Sequence, residues 1–189
     1  MHGIRGGQTA IHYKLNQAED IYFVKIYLDD LNGICVTAPL HKSQKDVEAF
    51  LYKKREWIEE KWKKIHGDLY ENYLKEEKVT YLGRKYKVIK HTSNQDASSF
   101  SFYKGKFHFT YPASLTAEEI EVTLEKKADE WVRIKADEKL NDFAVNSAAD
   151  DYRLGWKEGN ALYLNWRLIK RSKQDIQTVI EDLIEERSY

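Results

Sequence analysis

Near its end the chain carries Glu181, Asp182, Glu185 and Glu186 in the run EDLIEE. On a helix, residues four apart share a face, so Glu181 and Glu185 can offer oxygen ligands to one hard cation, Mg²⁺ or Mn²⁺. Asp182 beside them can serve as a base, which is the equipment of metal-assisted hydrolysis of a nucleotide or an RNA phosphodiester. The plainer reading makes these carboxylates the polar face of an amphipathic helix whose apolar stripe is Ile176, Val179, Ile180, Leu183 and Ile184. A basic cluster precedes them. Arg167, Lys170, Arg171 and Lys173, with Tyr163 and Trp166, can hold a phosphate backbone and stack a base, giving weak RNA binding through a local patch. As a solvated link between elements they would do neither. His2, His12, His41, His66, His91 and His108 are scattered, with no pair at the i+2, i+3 or i+4 spacing of a local metal site. No Gly-rich phosphate loop or nucleophile elbow is present.

Composition sets the class that must carry this chemistry. With 189 residues, 42% apolar and 33% charged, the chain can bury a core and stay in solution. The 31 basic and 31 acidic side chains cancel, so binding to nucleic acid or to an anionic membrane must come from a local patch. The single cysteine, Cys35, excludes an intramolecular disulfide and a Cys-based zinc site, and in the run Gly33-Ile34-Cys35-Val36 it reads as a small buried hydrophobe. No apolar run reaches the ~18 residues of a membrane span, and the start MHGIRGGQ lacks the core of a signal peptide. A cytoplasmic protein without membrane contact is expected.

The elements follow from periodicity. Residues 1–20 read as a flexible arm or edge strand, and 21–189 as one domain with sub-parts of about 21–75 and 76–189. IYFVKIYL (21–28) and ICVTA (34–38) read as strands joined by a hairpin at Asn32-Gly33. Ser43 caps a helix running to about Lys64, with Gly67 as its stop. VTYLG and RKYKVIKH are strands bent at Gly83, and SFSFY and KFHFTY form a hairpin around Lys104-Gly105. Thr116 and Glu119 make a capping box for a long helix through Ile120, Leu124, Trp131, Ile134 and Leu140. Leu162–Trp166 is a further strand, and a helix runs from Lys173 to about Arg187. The only two prolines are used alike: Gly33, Pro39, Ser43, Val47, Trp57 and Gly105, Pro112, Thr116, Ile120, Trp131 follow one order at similar spacing. Two strand-to-helix units of this kind predict an α+β domain with helices packed on antiparallel sheets.

Three stretches carry a family likeness. GICVTAPLHKSQKDVEAFLYKKREWIEEKW, YLGRKYKV and GNALYLNWRLIKRSKQDIQTVIEDLIEE resemble, in order and spacing, segments of the YgjP-like metallopeptidase family. The resemblance covers about residues 21 to 187. It implies that family's α+β fold, ending in the helix on which an HExxH motif binds zinc through two histidines and activates water through the glutamate. Aligned on Leu164-Asn165-Trp166-Arg167-Leu168, those positions fall on Glu181, Asp182 and Glu185. The family's R-W-G-S-C loop beside the metal corresponds to Arg153-Leu154-Gly155-Trp156, without its Ser or Cys. The further histidine ligand that family members carry beyond this helix is expected to have no counterpart before Tyr189.

The resemblance therefore implies a degenerate zinc-helix region, with no zinc expected and Mg²⁺ or Mn²⁺ as the possible ion. The leading functional expectation is a non-peptidase derivative, a pseudoenzyme that binds a macromolecular partner, protein or ribonucleoprotein. An inhibitor carried by a phage or mobile element is one concrete form. The alternative is a Mg- or Mn-dependent hydrolase or nuclease acting through Glu181, Glu185 and Asp182. An inert remnant within a larger complex is a third reading.

Overall fold

The computed structural model describes residues 2–4, 11–70, 74–75 and 77–185. The elements run β1 (His2–Ile4), β2 (Ile11–Ala18), β3 (Lys25–Asp29), β4 (Gly33–Pro39), α1 (Gln44–Lys53), α2 (Arg55–Tyr70), β5 (Leu74–Lys75), β6 (Lys78–Tyr81), β7 (Arg84–Ser93), β8 (Ser99–Tyr103), β9 (Lys106–Pro112), α3 (Ala117–Asn141), β10 (Asn146–Ala148), β11 (Gly155–Glu158), β12 (Ala161–Asn165), a 3₁₀ turn (Trp166–Lys170) and α4 (Lys173–Glu185). The strands form three sheets, ordered β1-β2-β4-β3, β5-β6-β7-β9-β8 and β10-β12-β11. The α+β class stands.

The two proline-marked units fold alike. In each, the Pro-ending strand pairs antiparallel with its hairpin partner on one side (β3–β4, β8–β9) and parallel with an earlier strand on the other (β2–β4, β7–β9). The sheets are therefore mixed rather than antiparallel, because the chain passes the site of β4 or β9 before the hairpin returns it there. Even the register repeats, Ala18 facing Pro39 and Ser93 facing Pro112. Each Pro carbonyl accepts a backbone bond from the loop before the helix, Lys42 N–H at 3.0 Å and Leu115 N–H at 3.2 Å. Ser43 with Asp46 and Thr116 with Glu119 then close reciprocal capping boxes.

Several sequence expectations give way. Residues 11–18, assigned to an arm or edge strand, form an inner strand: β2 lies between β1 and β4, and Tyr13 is fully buried. Its alternation of polar and apolar side chains is the mark of a strand with one face on the core. The strand read at 21–28 starts only at Lys25. Gly33 alone supplies the positive φ of the first hairpin, at +70°. The helix expected from Ser43 to about Lys64 is two helices, and Gly67 does not stop the second, which bends at His66 (φ −121°, ψ 28°) and continues to Tyr70. Leu69, 1% exposed, anchors that last turn in the core. In α3 the buried stripe is Leu124, Ala128, Val132, Ala136 and Leu140, whereas Ile134 is exposed. The alanines let α3 approach its sheet closely. Cys35 is buried, as expected of a small hydrophobe.

Three apolar clusters hold the molecule together. One lies between the first sheet and α1 with the start of α2, and one between the second sheet and α3. The third joins Trp62 and Leu69 of α2 to Leu164, Leu168 and the inner face of α4. This third cluster positions the candidate site. Among the described residues, no helix is long and apolar enough to cross a membrane.

Candidate functional site

Helix α4 lies on the third sheet through Ile176, Val179, Ile180 and Leu183. The strand beneath it needs a glycine. A Cβ on Gly155 would stand 2.7 Å from Leu183 Cδ1, 2.8 Å from Leu164 Cδ2 and 3.0 Å from the Tyr163 carbonyl oxygen. The Arg153–Trp156 segment is thus pressed against the turn that carries residues 181–185.

The carboxylates on that turn point elsewhere. Leu183 takes the inward position, and Glu181, Asp182 and Glu185 lie on the exposed side. Glu181 Oε1 accepts a bond from Gln177 Nε2 one turn earlier at 3.1 Å, a pairing within the helix surface. Among the described residues, no three His, Cys, Asp or Glu side chains stand together as a metal ion would require. Zinc, which the family implies, asks for a closed set of imidazole, thiolate or carboxylate donors. The described residues at these positions do not fit it. Glu186, and the end of the helix expected near Arg187, lie outside the described residues.

The basic segment before α4 is bound into the fold. Lys170 is 5% exposed, and its ammonium donates to the carbonyls of Asp68 (3.3 Å) and Leu69 (3.0 Å) in the last turn of α2. Those carbonyls are among the four that a helix end leaves without partners, so Lys170 acts as a tertiary C-cap with the favourable sign for the helix dipole. Arg171 forms a two-pronged ion pair with Asp68, Nε to Oδ2 at 2.8 Å and Nη2 to Oδ1 at 2.9 Å. The same guanidinium holds the Asp68 carboxyl below the usual carboxylate range. Arg171 Nη2 also donates to Nδ1 of buried His66 at 3.0 Å. Because a guanidinium cannot accept, Nδ1 is the acceptor nitrogen, and Nε2–H donates to Asp30 Oδ1 at 2.7 Å. Trp166 is buried, with the guanidinium groups of Arg133 (4.7 Å) and Arg167 (4.9 Å) against its ring. Tyr163 stacks on Trp156 at 5.5 Å and 8°. Of the six residues of this cluster, Lys173 alone is exposed.

One concave surface lies along the Arg153–Trp156 segment. A cleft of about 360 Å³ is lined by His12, Asn32 and Gly33 of the first unit and by Asp150–Arg153, Trp156 and Glu158 of the loop. Arg153 is held on both sides: its guanidinium pairs with Asp150 Oδ2 (2.7 and 2.9 Å) and lies over the Trp156 ring at 4.5 Å. Asn165, fully buried, clamps the loop by donating to the carbonyls of Asp150 (2.6 Å) and Arg153 (3.0 Å). Its Oδ1 accepts the Arg167 N–H, opening the 3₁₀ turn. Tyr152, at the rim, has its hydroxyl pushed up to about 12, first by burial and then by Glu59. Sequence reasoning missed the cleft, and with it Asn165, Asp150 and His12. The asparagine in LNWRL was the one signal available, since a polar residue flanked by an apolar strand and turn needs buried partners.

Two strand-to-helix units, a third small sheet and a terminal helix laid across it make up the α+β scaffold. The sequence pattern described as YgjP-like, metallopeptidase domain, matches residues 23–180, and the chain belongs to that family. The match ends immediately before Glu181. No curated protein and no solved structure matches the chain.

Proposed function

We propose that this chain uses a YgjP-like scaffold to bind a macromolecular partner, and that it does not hydrolyse peptides through zinc. The exposure of Glu181, Asp182 and Glu185 carries this reading. A hydrolytic centre needs ligands and base converging on one reacting atom, whereas these three side chains stand on the solvent face of a helix whose inward position is Leu183. The backbone around them is firmly held: the Gly155 contact, the Asn165 clamp and the Lys170 cap tie strand, loop and helix end in place. A fold fixes positions and leaves the chemistry to the residues there.

Melting of the wild type and of an E181A/D182A/E185A variant, in chelator, Zn²⁺, Mg²⁺ and Mn²⁺, tests the reading. The expected result is two melting curves that do not rise with the concentration of any of these cations. A wild-type melting temperature that climbs with Mg²⁺ or Mn²⁺ and a variant that stays flat would make the acidic helix a working ion site. The proposal would then give way to metal-assisted hydrolysis.

A further inference from the structure

The chain as a whole carries no net charge, but its second sheet does. Between Lys78 and Pro112 the sequence holds seven Lys and Arg side chains and one carboxylate, Asp96. Strand alternation sorts them by face. Val79, Val88, Phe107 and Phe109 point to α3 and are buried. Lys90 shares that side and is paired with Glu121 of α3 at 2.7 Å. The opposite face receives Lys78 opposite Lys87, Thr80 opposite Lys85, Ile89 opposite His108, His91 opposite Thr110 and Tyr103 opposite Lys106. Lys78, Lys85, Lys87 and Lys106 are all exposed, and no Asp or Glu lies on any of the four strands β6–β9. Much of the compensating negative charge sits across the sheet, on α3.

The centre and edge of this basic face carry flat rings. His91 and His108 lie parallel, centroids 5.4 Å apart at 11°, joined by a ring-nitrogen contact of 3.1 Å. Tyr103, 60% exposed at the edge strand, stands 6.5 Å from His108. Lys104 of the adjoining turn lies over the Tyr103 ring at 5.2 Å.

We propose that the outer face of the β6-β7-β9-β8 sheet is a binding surface for single-stranded nucleic acid, with the lysines on phosphates and Tyr103 and the histidine pair under bases. This names the partner class for the binding function proposed above and rests on that reading. Charge complementarity selects a polyanion, since lysines without interspersed carboxylates attract phosphates and repel basic partners. The ring faces select unpaired bases over a membrane or an acidic peptide, because every base has a π-face to stack. The width of an open five-stranded sheet selects single strands over duplex, whose major groove admits a helix or a two-stranded ribbon.

The test is fluorescence anisotropy of the full chain with labelled mixed-sequence single-stranded RNA, single-stranded DNA and duplex DNA across a salt series. Polyphosphate serves as a competitor, and phosphatidylserine vesicles are assayed by co-sedimentation. Wild type is expected to bind the single strands more tightly than duplex, with affinity falling steeply as salt rises. K78Q/K87Q/K106Q should weaken binding at least tenfold and flatten the log–log salt slope by about 2, at roughly 0.7 per phosphate contact on a single strand. Y103A/H108A should weaken RNA or DNA binding about tenfold while leaving polyphosphate binding unchanged. All five substituted residues lie on the sheet surface, and melting of each variant shows whether it is folded. No binding at low salt, equal binding by the lysine variant, or preference for vesicles overturns the proposal. So does competition by polyphosphate that matches RNA in a protein indifferent to Y103A/H108A, which would mean a polyanion surface without base recognition. The metal-dependent melting above is scored separately, so a failed nucleic-acid assay without a metal effect rejects this surface alone.

Discussion

Trp62→Ala is expected to lower the unfolding free energy by about 3–5 kcal/mol, the range for deleting a buried aromatic from a packed core. Trp62 is 2% exposed and sits where the N-terminal unit meets the α4 layer. Its ring lies 4.3 Å from the His66 ring and 6.1 Å, edge-on, from Tyr152. Its Nε1–H donates to the Tyr70 hydroxyl at 2.9 Å, and that hydroxyl donates to the Asp151 carbonyl at 2.8 Å. The substitution therefore opens a cavity and also breaks the path tying α2 to the loop at the cleft. Domains of this size have about 5–15 kcal/mol in hand, so a large share of the stability is at stake. Urea denaturation measures it. Trp62→Phe should cost clearly less, because it keeps most of the ring and gives up the hydrogen bond. A loss below about 1 kcal/mol for the alanine variant would mean that the N-terminal unit and the α4 layer do not depend on each other through this residue.

Gly155→Ala should cost about 2–3 kcal/mol by overpacking, although it adds one methyl group and leaves an ordinary backbone conformation. Two of the three atoms that the new Cβ would meet belong to leucine side chains, which can turn. The third is the Tyr163 carbonyl oxygen, fixed in the β11–β12 pairing. The helix is the part free to yield, so amide exchange in α4 should accelerate more than exchange in the second sheet. Adding Leu183→Ala gives a sharper check. If the clash lies between these two residues, the double variant loses less than the sum of the single losses. Strict additivity would place the strain elsewhere.

Much of the fold can be read from local chemistry. Pro39 and Pro112, each followed by a cap and a helix, mark the two units that fold with the same strand order and register. Ser43 and Thr116 cap where their neighbours predict. What stays hidden depends on partners far away in sequence. Lys170 looks like a solvated cation until the end of α2, a hundred residues earlier, brings it two carbonyls. Gly67 reads as a helix stop, but Leu69 and that same lysine stabilise the turn beyond it. The cleft needs His12 and Asn32 beside Asp150 and Arg153, a meeting that no local pattern announces. The charge on the second sheet could have been counted, but the balanced total of 31 against 31 masks it. Only strand pairing shows that the lysines share a face.

The acidic turn of α4 was legible as residues and not as geometry. Spacing alone permits Glu181 and Glu185 to share an ion, and what decides is which way that side of the helix faces. Leu183, drawn under Gly155, turns it to solvent.

Elemental analysis of the purified protein decides between binding and a zinc centre for this YgjP-like chain. Far less than one zinc per chain is expected after dialysis, with a melting temperature indifferent to chelator. One tightly held zinc per chain, with a melting temperature that falls when chelator removes it, would overturn the proposed binding role.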